Sequence, residues 1–140
     1  MTIQDVDQVM EIEQGAFSLP WSKESYLGEL KNRFAHYRVL DIGGVVAAYG
    51  GVWVIFEQAH ITNVAVREQY RQRGMGSALL QALEQVARSR KADHIYLEVR
   101  PSNRAAVNMY ESLGYGKSGA RQAYYTDNGE DAYIMSKILF

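Results

Sequence analysis

At 140 residues the chain suits one domain, spanning 1–140, that buries roughly two-thirds of the surface its unfolded form exposes. Hydrophobic residues make up 47% and charged residues 22%, a globular composition rather than a disordered or fibrous one. Fifteen Lys and Arg against sixteen Asp and Glu leave a formal charge of −1, which argues against a general nucleic-acid binder, and zero Cys excludes disulfides, thiolate zinc sites and cysteine nucleophiles.

The N-terminus is acidic from Asp5 and has no apolar run after a basic start, so it does not read as a secretory signal. No apolar stretch approaches the ~18 residues of a membrane span. A cytoplasmic location without membrane association is the expectation. Thr2-x-x-Asp5 resembles a capping box, and Val6, Val9, Met10 and Phe17 recur at helical spacing up to a break near Gly15. A second short helix starts at Ser22, with Tyr26, Leu27 and Leu30 on its inner face. His36–Leu40, Val45–Phe56 and Ala59–Val66 are strand-like, and Asp41-Ile42-Gly43-Gly44 supplies a hairpin turn between the first two.

Met75, Leu79, Leu80, Leu83, Val86 and Ala87 form one helical stripe, followed by a strand at His94–Val99. Strand, helix and strand make a βαβ unit, whose strands are usually parallel and whose crossover is right-handed. Asn103 precedes a helix over Arg104–Leu113, with Gly114 placed to end it. Lys117–Tyr125, a polar turn at 126–129 and Ala132–Leu139 then predict a second hairpin. The order ααβββαβαββ predicts an α+β fold: a mixed, mainly antiparallel sheet with one parallel pair, flanked by helices.

The sharpest local feature is Arg71-Gln72-Arg73-Gly74-Met75-Gly76-Ser77, between a strand and a helix. The first turn of a helix has free N–H groups and the positive end of the dipole, so such a loop is an anion cradle, with a pyrophosphate as the expected guest. Gly74 and Gly76 let the backbone approach a phosphate, and Arg71 and Arg73 add charge-assisted donors. Spacing alone favours a tight turn with solvated arginines over a cradle, and the context decides. No Gly-Lys-Ser/Thr of a P-loop is present, and Leu79 stands where a Rossmann fingerprint needs its third glycine.

In this context Arg71-x-x-Gly74-x-Gly76 resembles the cofactor signature of the GNAT acetyltransferase superfamily, Arg/Gln-x-x-Gly-x-Gly/Ala, and the predicted element order is similar to that fold over essentially the whole chain. The resemblance implies acetyl-CoA as cosubstrate, with its pyrophosphate in the loop. It also implies a central parallel pair that splays apart, so that pantetheine amides bond to the backbone of Val64, Ala65 and Val66 as an added strand would.

Leu97-Glu98-Val99-Arg100-Pro101-Ser102-Asn103 puts a carboxylate inside the second parallel strand, where it needs a partner or a task. By spacing alone Glu98 is also readable as a glutamate on the wetter face paired with Arg100 or a neighbour, and Tyr110 as a core aromatic. The joint pattern Leu-Glu-Val-Arg-x-Ser-Asn-x-x-Ala-x-x-x-Tyr-Glu-Ser-Leu-Gly-Tyr is similar to one branch of the superfamily, the bacterial RimI family, which acetylates the N-terminal alanine of a small-subunit ribosomal protein. Phe17-Ser18-Leu19-Pro20-Trp21-Ser22, Ile61-Thr62-Asn63-Val64-Ala65-Val66 and Tyr124-Tyr125-Thr126-Asp127 resemble it too.

That resemblance implies Glu98 as general base through water, Tyr110 as the acid for the departing thiolate, and Asn103 as a cofactor contact, with direct transfer to an amine. The first interhelical loop and the last hairpin are implied to wall the peptide channel, with Trp21 and Tyr26 on one side and Tyr124 and Tyr125 on the other. His36, His60 and His94 show no metal spacing and no metal is expected; they read as structural or exposed. An α-amine of pKa ~7.8 is about 14% neutral at pH 7 and a lysine amine of pKa ~10.4 about 0.04%, a difference of roughly 3.5 kcal/mol that favours N-terminal acetylation. A GNAT enzyme for a small amine or lysine, and a non-catalytic acyl-CoA-binding module, are the alternatives.

Overall fold

The computed structural model describes residues 1–139. Thr2 and Asp5 do form a capping box, but around a short 3-10 turn, Ile3–Asp5, that leads into helix α1, Val6–Ala16. Ser22 caps helix α2, Lys23–Leu30, by accepting from the Ser25 amide at 3.2 Å. Three strands follow as a meander, β1 (Ala35–Ile42), β2 (Val45–Ile55) and β3 (Gln58–Val66). After a 3-10 turn at Glu68–Tyr70 come α3 (Met75–Ser89), β4 (His94–Val99), α4 (Arg104–Ser112), β5 (Gly116–Arg121) and β6 (Ala132–Ile138).

The strands form one sheet in the order β1-β2-β3-β4-β6-β5. Only β3 and β4 run parallel, and the C-terminal strand inserts between β4 and β5. Both faces are covered. One core gathers Val52, Val54, Ala59 and Ile61 with Leu80, Leu83 and Val86 of α3, Ile95, Leu97 and Val99 of β4, and Val107 and Tyr110 of α4. The other packs Val6, Val9 and Ile12 of α1 and Tyr26 of α2 on Tyr37, Val46, Tyr49 and Ala65. Each fully buried leucine among these contributes about 1.5–3 kcal/mol of transfer free energy.

Two features of the sheet shape what lies above it. The β3–β4 pairing lasts only three residues, Gln58 with His94 through His60 with Tyr96. Beyond His60 the two strands diverge. Between Gly51 and Val52 the β2–β3 register shifts, so that Thr62 bulges toward the α1/α2 side, where its hydroxyl lies 3.2 Å from that of Tyr37.

The second hairpin differs from the expectation. Its first strand ends at Arg121 instead of Tyr125, and residues 122–131 form a loop that carries Tyr124 and Tyr125. Ala123 takes a left-handed φ of 48°, which breaks the strand, and the Tyr125 amide turns back to the Glu130 carbonyl at 3.1 Å. No helix among the described residues is long and apolar enough to cross a membrane.

Candidate active site

Alternation along β4 sets the site. Ile95, Leu97 and Val99 face the core under α4, so His94, Tyr96 and Glu98 face the opposite side of the sheet. Tyr110 approaches from α4 on the first face and Glu98 from the second, flanking the gap that opens where β3 leaves β4. A carboxylate and a phenol on opposite sides of one opening could serve a transfer in which a nucleophile arrives from one side and a leaving group departs toward the other.

Glu98 is only 9% exposed and does not pair with Arg100, the neighbour considered from sequence. Its Oε2 lies 2.7 Å from Nε2 of His60, and its Oε1 lies 3.5 Å from Nε of Arg121. His60 stacks on Tyr96 with ring centroids 4.5 Å apart and planes 5° from parallel. The imidazole is thereby fixed from below by a ring and from the side by a carboxylate. His60, read from the sequence as structural or exposed, is half-buried and partnered, and its contact with Glu98 is what the sequence reading did not foresee. The signal was present in the period-two pattern of Ala59-His60-Ile61, which turns His60 away from the core.

Tyr110 is buried apart from 8% of its surface, and its hydroxyl makes no hydrogen bond to a described residue. Every fully buried side-chain polar atom among the described residues has a partner, so this hydroxyl opens toward solvent at the gap. Burial first, then the neighbouring Tyr125, pushes the phenol up to about 12, so it is protonated throughout the neutral range. Tyr125 itself is pushed up to about 12, by burial and then by Tyr124, with Glu98 among the smaller causes. It therefore stands within electrostatic reach of both Glu98 and Tyr110.

In the loop before α3, Gly74 adopts a φ of 76° and Gln72 one of 62°. The left-handed turn at Gly74 starts α3 without a capping side chain and without an acid in the first turn, which leaves the N–H groups of Met75, Gly76 and Ser77 for an incoming anion. A Cβ on Gly76 would meet the Met109 sulfur at 3.1 Å, so that glycine serves the packing of α3 on α4 as well. Arg71 and Arg73 are exposed; Arg71 folds back to donate to the Val66 carbonyl at 3.0 Å, and Arg73 lies over Tyr70. Val64, Ala65 and Val66 lie on the part of β3 that has lost its β4 partner. A polyanion with an amide-bearing arm fits this set, the anion at the helix start and the arm along the unpaired strand edge. Asn103 caps α4 by accepting from the Ala106 amide at 3.2 Å, so a cofactor contact is left to its amide nitrogen.

The expected peptide walls are placed unevenly. Trp21 is half-buried, with its backbone amide donating to Glu13 at 2.7 Å. Tyr26 does not line a channel. It is wholly buried, its hydroxyl donates to Glu13 at 2.6 Å and also meets Tyr49 and Asn63, and this bonding makes it part of the core under the wall. Tyr124 is 45% exposed and stands edge-on to Tyr125, 5.0 Å between centroids. Among the described residues no group of three or more His, Cys, Asp or Glu is arranged to hold a metal ion.

A splayed parallel pair, a glycine turn that opens a helix beside it, and a carboxylate and a phenol on either side of the gap are the features of an acetyltransferase of the GNAT class. Residues 6–115 match the acetyltransferase (GNAT) family, and the chain belongs to it. Enzymes of this family take their acetyl group from acetyl-CoA. The chain is 41% identical over 136 residues, 96% of its length and 90% of the relative's, to a Bacillus subtilis (strain 168) protein provisionally assigned as a ribosomal protein bS18-alanine N-acetyltransferase. It is 36% identical over 134 residues, 94% of its length and 90% of the relative's, to the ribosomal protein bS18-alanine N-acetyltransferase of Escherichia coli (strain K12). The crystal structure of the Escherichia coli ribosomal-protein-S18-alanine N-acetyltransferase superposes with a TM-score of 0.90 at 34% identity, over 99% of this chain and 90% of that one.

Proposed function

We propose that this acetyltransferase acts on the N-terminal α-amine of a protein, its acceptor being the N-terminal alanine of a small-subunit ribosomal protein. The observation that carries the reading is the placement of Glu98 and Tyr110 on opposite faces of the β3–β4 gap. The names of the similar proteins support the acceptor.

In this reading the amides at the start of α3, with Arg71 and Arg73, hold the pyrophosphate of acetyl-CoA, and the free edge of Val64–Val66 holds the pantetheine arm. Acetyl-CoA supplies an activated acetyl thioester. Glu98 removes the proton that makes the arriving ammonium unreactive, directly or through water, and His60 keeps its carboxylate aimed into the gap. Tyr110, protonated because burial raises its phenol, donates to the sulfur as negative charge develops there. An α-amine supplies its neutral form about 3.5 kcal/mol more cheaply than lysine does. A single carboxylate base therefore suits the α-amine better than the lysine amine.

Mass spectrometry of reactions with acetyl-CoA tests the acceptor. An Ala-initiated ribosomal-protein peptide gains one acetyl group at its α-amine, whereas its N-blocked form and a polyamine do not. Transfer confined to lysines of the blocked peptide sinks the N-terminal reading. Binding of CoA without transfer to any amine sinks the catalytic roles of Glu98 and Tyr110.

A further inference from the structure

Arg100 follows the Glu98 strand directly, yet its guanidinium turns away from Glu98 toward the 122–131 loop. Its Nη2 donates to Asp127 at 2.7 Å, and its Nη1 reaches Asn128 at 3.2 Å and Glu130 at 3.4 Å. Its carbon lies 3.9 Å from the centroid of the Tyr125 ring. Both partner carboxylates are engaged a second time. Asp127 accepts from the Ser18 hydroxyl of the loop between α1 and α2, and Glu130 accepts from the Ser102 amide at 2.9 Å and the Ser102 hydroxyl at 3.0 Å, just before α4.

Three segments far apart in the chain meet at this one cation. They are the α1–α2 loop carrying Trp21, the 122–131 loop carrying Tyr124 and Tyr125, and the turn joining β4 to α4, which carry Glu98 and Tyr110. A planar guanidinium is suited to this, because it offers a fork of donors in its plane and a flat face to an aromatic ring at once, which an ammonium does not. The side chain is 24% exposed and its two carboxylate partners 22% and 19% exposed, so the cluster lies at the rim of the opening and not in the core.

We propose that Arg100 is the positioning residue of the acceptor channel: by holding Asp127, Glu130 and the Tyr125 ring together, it joins the two channel walls to each other and to the Glu98 strand, so that they form as one unit. Arg100 touches neither reacting group. It acts through Tyr125 and through Asp127–Ser18. This rests on the acceptor reading for its effect on turnover, but the mechanical coupling stands apart from which amine is used.

Two measurements on the full chain separate the two. In hydrogen exchange followed by mass spectrometry, Arg100→Gln raises exchange in residues 122–131 and also in 17–22, and leaves the Arg71–Ser77 loop unchanged. Faster exchange in 122–131 alone, or in neither segment, overturns the coupling whatever the acceptor is. In steady-state assays with the Ala-initiated peptide, Arg100→Gln raises the KM for peptide by about tenfold or more, equivalent to about 1.4 kcal/mol, while the KM for acetyl-CoA holds. Arg100→Lys recovers only a minor part, because it meets one carboxylate and presents no flat face. Full recovery by Lys, or an equal rise in both KM values, overturns the proposal. If the wild type acetylates only lysine peptides, the acceptor reading fails, and the exchange result still decides the latch.

Discussion

Replacing Tyr110 by Phe removes one oxygen that bonds to no described residue, from a ring that stays packed against Tyr115 with centroids 5.8 Å apart. A buried hydroxyl with a partner is worth about 1 kcal/mol of stability. With an unfolding entropy near 2.1 cal/mol/K per residue, a chain of this length loses about 3 °C of Tm for each kcal/mol. Because Tyr110 has no such bond to lose, Tyr110→Phe is expected to move Tm by less than about 2 °C. Turnover is expected to fall far more, by about 10²–10⁴, or about 2.7–5.4 kcal/mol, the range for a positioned general acid. The assay is thiol release on mixing enzyme, acetyl-CoA and acceptor peptide, with calorimetry giving the acetyl-CoA affinity, which is expected to stay within about twofold. A variant that keeps full kcat refutes the acid role. One that loses kcat, cofactor affinity and Tm together shows Tyr110 to be a packing residue instead.

Glu98→Gln keeps the shape of the strand but cannot accept a proton, and it is expected to lower kcat by about 10²–10⁴; His60→Ala is expected to lower it less, since it loosens the carboxylate without removing it, and equal losses would make His60 a reacting group in its own right. Gly51→Ala places a methyl 2.8 Å from Cδ2 of Tyr37 and closer still to Cε2 and Cζ, against a ring pinned by the Tyr37–Glu29 hydrogen bond of 2.8 Å. Overpacking of that kind costs about 1–3 kcal/mol or more, so thermal melting should show a Tm lower by about 3–10 °C. Burial raises the phenols of Tyr26, Tyr37, Tyr49 and Tyr115, so the stability they contribute is fully present below about pH 10, where the unfolded chain ionises, and is lost as pH rises toward their folded values. The urea midpoint should therefore fall between about pH 9.5 and pH 11; a constant midpoint there contradicts the burial of these rings.

What was legible in the sequence is what local patterning encodes. The Leu79, Leu80 and Leu83 stripe fixed α3, Asn103 marked the start of α4, and Asp41–Gly44 marked the β1–β2 turn, because each is settled within a few residues. The composition of the site needed pairings across the chain. His60 and Glu98 are 38 residues apart and meet because a three-residue parallel ladder sets their register. Ser18 and Asp127 are 109 residues apart. Nor did periodicity show that Tyr26 would be consumed by a buried glutamate: Glu13, Glu29 and Glu84 are all buried, each bonded to at least one tyrosine hydroxyl, and such bonds leave no local trace. The second hairpin was read too long for the same reason. Its first strand is cut short where the following loop is drawn onto Arg100.

The near-zero net charge is the sum of unlike regions: residues 1–66 carry −4, residues 67–121 carry +5 and residues 122–140 carry −2. From sequence, the acidic flanks would give a basic acceptor tail a complementary field. The structure spends most of that charge internally. Glu13 and Glu29 are buried against tyrosines, Asp7 lies 2.9 Å from Lys23, Glu11 lies 2.9 Å from Arg67, and Asp127 and Glu130 share Arg100. The basic section is different, because Arg71 and Arg73 make no ion pair with a described residue and stand exposed beside the start of α3. Long-range attraction is therefore concentrated where a polyanionic cosubstrate would bind. On the proposed acceptor side most of the flank carboxylates are paired within the fold, so under that reading selection there falls more to shape than to long-range charge.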